Sequence, residues 1–166
     1  MKTKLLSTMI IMLFIGVFSV SCSKDSTGDP IDNITSSELS FVVNGDVYQN
    51  QTFKFDKEGM AIFDAAMNAT GCEFTDAADN SVLLAVEGNT SGSYAVNDSD
   101  NSMVVNYDDN TTIIALTEGT ITITKYGNVN DMITGTFTGS GMVSHNYNEP
   151  VAITIKDGKF SVKRVL

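Results

Sequence analysis

Few side chains in this chain of 166 residues can do covalent or acid–base chemistry: two cysteines, one histidine and a scatter of carboxylates. Cys22 is the best placed of them. A thiol can carry a diacylglyceryl thioether, and an amino terminus exposed beside it can be acylated. Several acyl chains together hold a protein on a membrane that one chain grips only marginally. The preceding residues suit that chemistry. Lys2 and Lys4 form a basic start, and Leu5 to Val20 is apolar apart from Ser7, Thr8 and Ser19. This is the layout of an export signal. The apolar run is shorter than the roughly 20 residues a spanning helix needs.

The other candidates are weaker. Cys72 follows Gly71 and precedes Glu73 and Phe74, the setting of a small buried hydrophobe. If Cys22 is lipidated, Cys72 has no partner for an intramolecular disulfide. His145 lies in GSGMVSHNYNEP, on an expected loop over 139–149. A triad of Ser144, His145 and Asp131 has nothing to fix it, since adjacent strand residues point opposite ways. No GxSxG elbow exists, so no catalytic residue is assigned. One histidine and one cysteine fall short of the ligands zinc requires. The Asp/Asn-rich turns 97–101 and 108–110 offer oxygens for calcium, but they are expected at opposite ends of one strand and read as hairpin turns. No metal and no cofactor are expected.

Ser19, Val20 and Ser21 lead into Cys22 with the spacing of a lipobox, Ser19 standing where leucine is usual. The pattern is similar to the looser form found in Bacteroidota. Ser23, Lys24 and Asp25 resemble the tag that exports some lipoproteins of that phylum to the outer leaflet. Asp25-Ser26-Thr27 resembles an O-glycosylation motif from the same source. From 22 to 36 the chain is rich in Ser, Thr, Asp, Gly and Asn and reads as a flexible tether, too polar to offset its ordering cost. The expected organisation is a signal peptide over 1–21, a tether over 22–36 and one domain over 37–166.

Removal of 1–21 leaves 145 residues, and the loss of Lys2 and Lys4 with it takes the formal charge from −10 to −12. That is enough chain for one core. So acidic a chain does not suit duplex nucleic acid, whose phosphates require basic partners.

Within the domain nearly every apolar segment alternates with period two, as strands do. Leu39, Phe41 and Val43 precede a tight turn at Asn44-Gly45, and Phe53 and Phe55 are in phase after it. Met60 to Ala66 suits a strand better than a short helix. Residues 68–80 read as loop. Val82–Val86, Ser93–Val96, Met103–Tyr107 and Ile114–Leu116 alternate between turn signals. Glu118-Gly119 is expected to be a turn before TITITKYG. MITGTFT and Val151–Ile155 follow, and Asp157-Gly158 is expected to be a turn before Phe160 and Val162. Nine or ten short strands without a helical period predict an all-β domain, an antiparallel β-sandwich or, as the alternative, a flattened β-barrel.

GNTSGSYAV, TITITKYGNVNDMITGTFTGSG and VAITIKDGKFSVKRV together resemble a family of Bacteroidota lipoproteins similar to DUF6252-type domains, across most of 37–166. Gly88, Asn89, Gly92 and Tyr94 match its first motif, Gly135, Phe137 and Gly139 its second, and Gly158, Lys159, Phe160 and Arg164 its third. The resemblance implies an envelope lipoprotein and no particular activity. Each matched residue also reads as a turn glycine or a sheet anchor.

The functional expectation is an outer-membrane lipoprotein, displayed at the cell surface or on the periplasmic face, with a noncatalytic binding or surface-assembly domain. Its partners would be the lipid bilayer and a glycan or protein. Tyr126 and Tyr147 are candidate binding-face aromatics if they share a rim. The alternative is an extracellular polymer hydrolase using carboxylates among Glu73, Asp76, Asp79, Glu87, Asp98 and Asp100, with 67–80 and 139–149 shaping its cleft. Mass spectrometry of the N-terminal peptide from the native host is expected to find acylated Cys22 as the first residue. Cleavage elsewhere, or a bare Cys22, would contradict the anchor.

Overall fold

The computed structural model describes residues 36–96 and 101–166. Cys22, Ser23, Lys24, Asp25, Asp98 and Asp100 lie outside these residues. Among the described residues there are ten antiparallel strands and no helix: β1 Glu38–Gly45, β2 Tyr48–Phe55, β3 Glu58–Asp64, β4 Ala69–Thr75, β5 Ser81–Glu87, β6 Gly92–Val96, β7 Ser102–Tyr107, β8 Thr112–Lys125, β9 Met132–His145 and β10 Val151–Lys163. The domain is all-β, as the alternation predicts. Its strands form one sheet in the order β2-β1-β10-β9-β8-β7-β5-β4-β3, with β6 beside the second half of β8. The sheet curls into a half-barrel. Its β3 edge meets the chain end: the Val165 N–H donates to Ala61 O at 2.8 Å, and Ala61 bridges Arg164 in parallel.

Inward alternation fills the concave side. Phe41, Phe55, Phe74, Ile114, Ile121, Ile133 and Val162 are all buried. Aromatic rings form a continuous chain through this core, from Tyr107 to Phe53, Phe41, Phe137, Phe160 and Phe74, with centroids 5.3–6.5 Å apart. It joins β7, β2, β1, β9, β10 and β4, so elements remote in the sheet meet across the interior. Such pairs add to the burial of their area.

Two GxF triplets set the centre of this chain. Gly135-Thr136-Phe137 on β9 runs against Gly158-Lys159-Phe160 on β10, so that Gly135 faces Phe160 and Phe137 faces Gly158. Each ring covers the opposite glycine. A methyl group at 135 would come within 2.5 Å of the Phe160 ring, and one at 158 within 2.5 Å of the Phe137 ring. This is aromatic cover of a strand glycine, used twice in reciprocal sense.

Two expected turns, and the start of the expected loop over 139–149, instead lie inside long strands. Glu118-Gly119 lies within β8, Gly139 within β9 and Asp157-Gly158 within β10. Gly119 pairs with Gly139, and the β9–β10 register slips between Ile155 and Gly158. Another slip falls between Ser40 and Val42 on β1. The four irregularities form a line across neighbouring strands. A bulge bends its strand and raises local twist, which is how a sheet this wide curls. The turn residues are real signals: Gly119 has φ 149° and Asp157 φ 55°. They bend the strand without reversing it.

Other expectations also shift. The β1–β2 turn is centred on Asp46-Val47, after Gly45 pairs with Tyr48. Residues 69–75 are a strand, β4, and 139–145 belong to β9, so neither stretch is loop. Of the strand expected over Met60 to Ala66, Met60–Asp64 is strand and Ala65–Ala66 belong to the turn after it; Ala61 faces the core and Met60 is 41% exposed. Replacing Gly135 with alanine is expected to lower stability by about 1–3 kcal/mol or more, the usual cost of overpacking. Asp157→Gly, at a left-handed position, is expected to be neutral or stabilising. Urea unfolding midpoints decide; an unchanged midpoint for G135A would contradict the paired-glycine account.

Candidate functional site

The kink line divides the convex outer face into two surfaces of different chemistry. Beyond it, toward Lys125, the outward residues are hydroxyls. Thr120 and Thr122 on β8 pair with Thr138 and Thr136 on β9. One lateral row runs Ser93, Thr122, Thr136, Lys159, Ser40 and Lys54 across six strands. Where β10 bulges, this surface holds a groove of about 480 Å³ lined by Thr120, Thr122, Thr136, Thr138, Lys156, Asp157 and Lys159. The Thr138 hydroxyl donates to Ile155 O at 3.1 Å, and the Thr122 and Ser93 hydroxyls lie 3.1 Å apart. Lys54 is paired with Asp56 and Lys57 with Asp79, whereas Lys156 and Lys159 make no ion pair among the described residues.

On the other side of the line the outward row is apolar. Met60, Glu73, Leu83, Val104, Ala115, Met142 and Ala152 lie side by side across seven strands. Ile62, Ala85 and Ile113 flank it on the same face. Met60, Met142 and Ala152 are exposed. Glu73 is the one carboxylate in the row, and burial among these neighbours raises its pKa above the usual carboxylate range. The sequence carried a sign of this surface: SVLLAV, MVV and IIAL are unbroken apolar runs, the pattern of strands covered on both faces.

Of the residues singled out in the sequence, few come together. Tyr126 follows β8 at its Lys125 end. Tyr147 follows β9 at the opposite end, about 45 Å along a 14-residue strand. The two do not share a rim. Tyr147 is 80% exposed. Tyr126 packs on the core, with its hydroxyl 2.7 Å from Thr70 Oγ1 and Arg164 5.1 Å over its ring. It ties the exit of β8 to β4 and the chain end. His145 closes the last turn of β9: its Nε2 lies 2.8 Å from Asp46 Oδ2 and its Nδ1 3.1 Å from Thr112 Oγ1. The Tyr48 ring lies tilted beside it at 6.0 Å, and burial followed by the nearby Asp108 and Asp46 charges raises the Tyr48 pKa.

The carboxylates considered for hydrolysis are spread out. Glu73 sits mid-strand on the outer face. Asp76 shapes the β4–β5 turn, accepting from the Ala78 and Asn80 N–H groups and from Asn80 Nδ2. Asp79 pairs with Lys57, and Glu87 lies at the far end of β5. Sequence reading missed two buried amides. Asn80 accepts the Asp108 N–H, and Asn101 accepts the Glu87 N–H while donating to Ala95 O. Both look like ordinary turn residues in the sequence, and only their burial sets them apart.

Comparison with family models, with curated proteins and with solved structures finds no match to this chain. The site rests on geometry.

Cys72 is fully buried, and burial pushes its thiol up from 9.0 to about 12. The native state therefore holds a neutral thiol. Its contribution to stability is complete below about pH 9 and is lost as pH rises toward 12, since the unfolded chain ionises first. At pH 8 the native protein is expected to resist a thiol reagent that labels Cys72 within minutes in urea. Equal labelling rates would show that the thiol is open to solvent.

Proposed function

We propose that this chain is a membrane-anchored cell-envelope lipoprotein whose β domain is a noncatalytic binding or surface-assembly module. The export signal, the SVSC junction at Cys22 and the polar tether support the anchor. Ser23, Lys24 and Asp25 support display at the outer membrane surface, with the periplasmic face as the alternative. The resemblance to Bacteroidota lipoproteins similar to DUF6252-type domains agrees with this reading.

The observation that carries the module is the apolar row from Met60 to Ala152 on the outer face. A concave face must be apolar to form a core. Nothing in folding alone requires the convex face to be apolar as well, and a continuous apolar row left half-buried at Leu83, Val104 and Ala115 and exposed at Met60, Met142 and Ala152 marks a place of contact. The strands present it rigidly, because the same residues alternate with buried core side chains on every strand. A protein surface of matching apolar character is the fitting partner. The row holds a single carboxylate and no lysine or arginine, so it gives anionic lipid headgroups nothing to pair with.

A photo-crosslinking residue at Met142 or Val104 in the native host is expected to trap a discrete protein adduct. The same residue at exposed Val47 or Val129, off the row, is expected to trap none. Adducts at Val47 and Val129 with none at Met142 and Val104 would overturn the assignment of this face.

A further inference from the structure

We infer that the groove at the β10 bulge is a binding site for an acidic glycan, a chain of sugar units bearing carboxylates or sulfates. The inference rests on the reading of the domain as a binding module, but it uses none of the apolar-row residues.

Three observations converge there. The first is the array of hydroxyls. Thr120, Thr122, Thr136 and Thr138 occupy two adjacent positions on each of two paired strands. They form a rectangle about 4.8 Å by 6.7 Å, set by strand spacing and the two-residue repeat. Thr120 and Thr136 can both donate and accept, and Thr138, whose proton goes to Ile155 O, is left as an acceptor, so the array can meet sugar hydroxyls of either sense. Thr138 and Thr122 are held by their bonds to Ile155 O and Ser93, which fixes the array before a ligand arrives.

The second is charge. The chain carries −10 overall, and this groove is bordered by Lys156 and Lys159, two exposed cations with no ion-pair partner among the described residues. Lys125, Lys163 and Arg164 also lack an ion-pair partner among the described residues, but only Lys156 and Lys159 flank the hydroxyl array, so an anion bound there meets two cations on an otherwise acidic chain.

The third is the bulge itself. The register slip between Ile155 and Gly158 sets residues 156 and 157 against the single residue Thr138, one extra residue in the strand, and both line the groove. Asp157 has φ 55° and lies between the two lysines in sequence. Its carboxylate can accept from a sugar hydroxyl but repels a ligand anion, so it tunes the site toward sparse charge. Among the groove residues the only aromatic is buried Phe137. The ligand is therefore gripped by hydrogen bonds and charge, not by ring stacking.

The test is calorimetric titration of the full mature protein in detergent with four acidic oligosaccharides: oligogalacturonate, oligoalginate, chondroitin sulfate and heparin fragments. Neutral galactose oligomers, poly-glutamate and inorganic sulfate serve as comparisons. At least one acidic oligosaccharide is expected to bind, more tightly than all three comparisons. The double variant Lys156→Gln/Lys159→Gln should weaken it about tenfold or more, the loss of two charge-assisted hydrogen bonds. Asp157→Asn should tighten it. Absence of binding by all four, equal binding of the neutral oligomer, or unchanged affinity in the lysine variant would each overturn the proposal. Poly-glutamate binding as tightly as the glycans would reassign the groove to acidic peptides and overturn it too. Should the groove fail while crosslinks at Met142 persist, only the groove assignment falls. Loss of both would remove the binding-module reading itself.

Discussion

Two phenylalanine rings lying on two glycines hold the middle of this protein together. Phe160 covers Gly135 and Phe137 covers Gly158, each across the β9–β10 pair. A β-carbon at either glycine would displace a ring, and the rings cannot move without disturbing Phe41 on one side and Phe74 on the other. The pairing therefore fixes two things at once. It seats the aromatic chain that links the two limbs of the sheet. It also places a residue without a side chain beside the β10 bulge, where the backbone must bend. Gly119 and Gly139, facing each other on β8 and β9, carry the bend onward.

The outer surface inherits its plan from that bend. On β8, Ile113 and Ala115 face outward before Gly119, and Thr120, Thr122 and Thr124 after it. On β9 the order is reversed because the strand runs the other way: Thr134, Thr136 and Thr138 come first and Met142 last. Antiparallel pairing thus brings like with like, and one sheet presents a hydroxyl surface and an apolar surface with a kink between them. A single continuous sheet in this way carries two surfaces of unlike chemistry on one face. Tyr126, Thr70 and Arg164 lock one end, and His145, Asp46 and Thr112 the other. These polar clusters are consumed in closing the ends of the sheet.

Much of this was legible in the sequence. Period-two alternation identifies nearly every strand and the inward side of most, because burial of one face is what alternation encodes. The breaks were harder. Glu118-Gly119 and Asp157-Gly158 have the composition of hairpin turns, and a left-handed or glycine residue does bend the chain there. Whether the chain then reverses or continues depends on neighbouring strands, which period and composition do not reveal. Residues 69–75 hid for a related reason: ATGCEFT has small residues where a strand usually shows large ones, since Gly71 and Cys72 lie in crowded central positions. The outer apolar row was visible in SVLLAV and IIAL, but a doubly apolar strand is ambiguous until the sheet shows which face is core. The groove could not be read in advance, because it joins Thr120 to Lys159 through two strand pairings and a register slip.

The most direct measurement is proton NMR of the described domain within the mature protein, reading the Hα resonances of Gly135 and Gly158. Ring cover on each should shift one Hα strongly upfield and give cross-relaxation from Gly135 to the Phe160 ring and from Gly158 to the Phe137 ring. Glycine Hα signals at ordinary positions, without contacts to either ring, would contradict the reciprocal pairing from which the curl, the kink and the divided outer face follow.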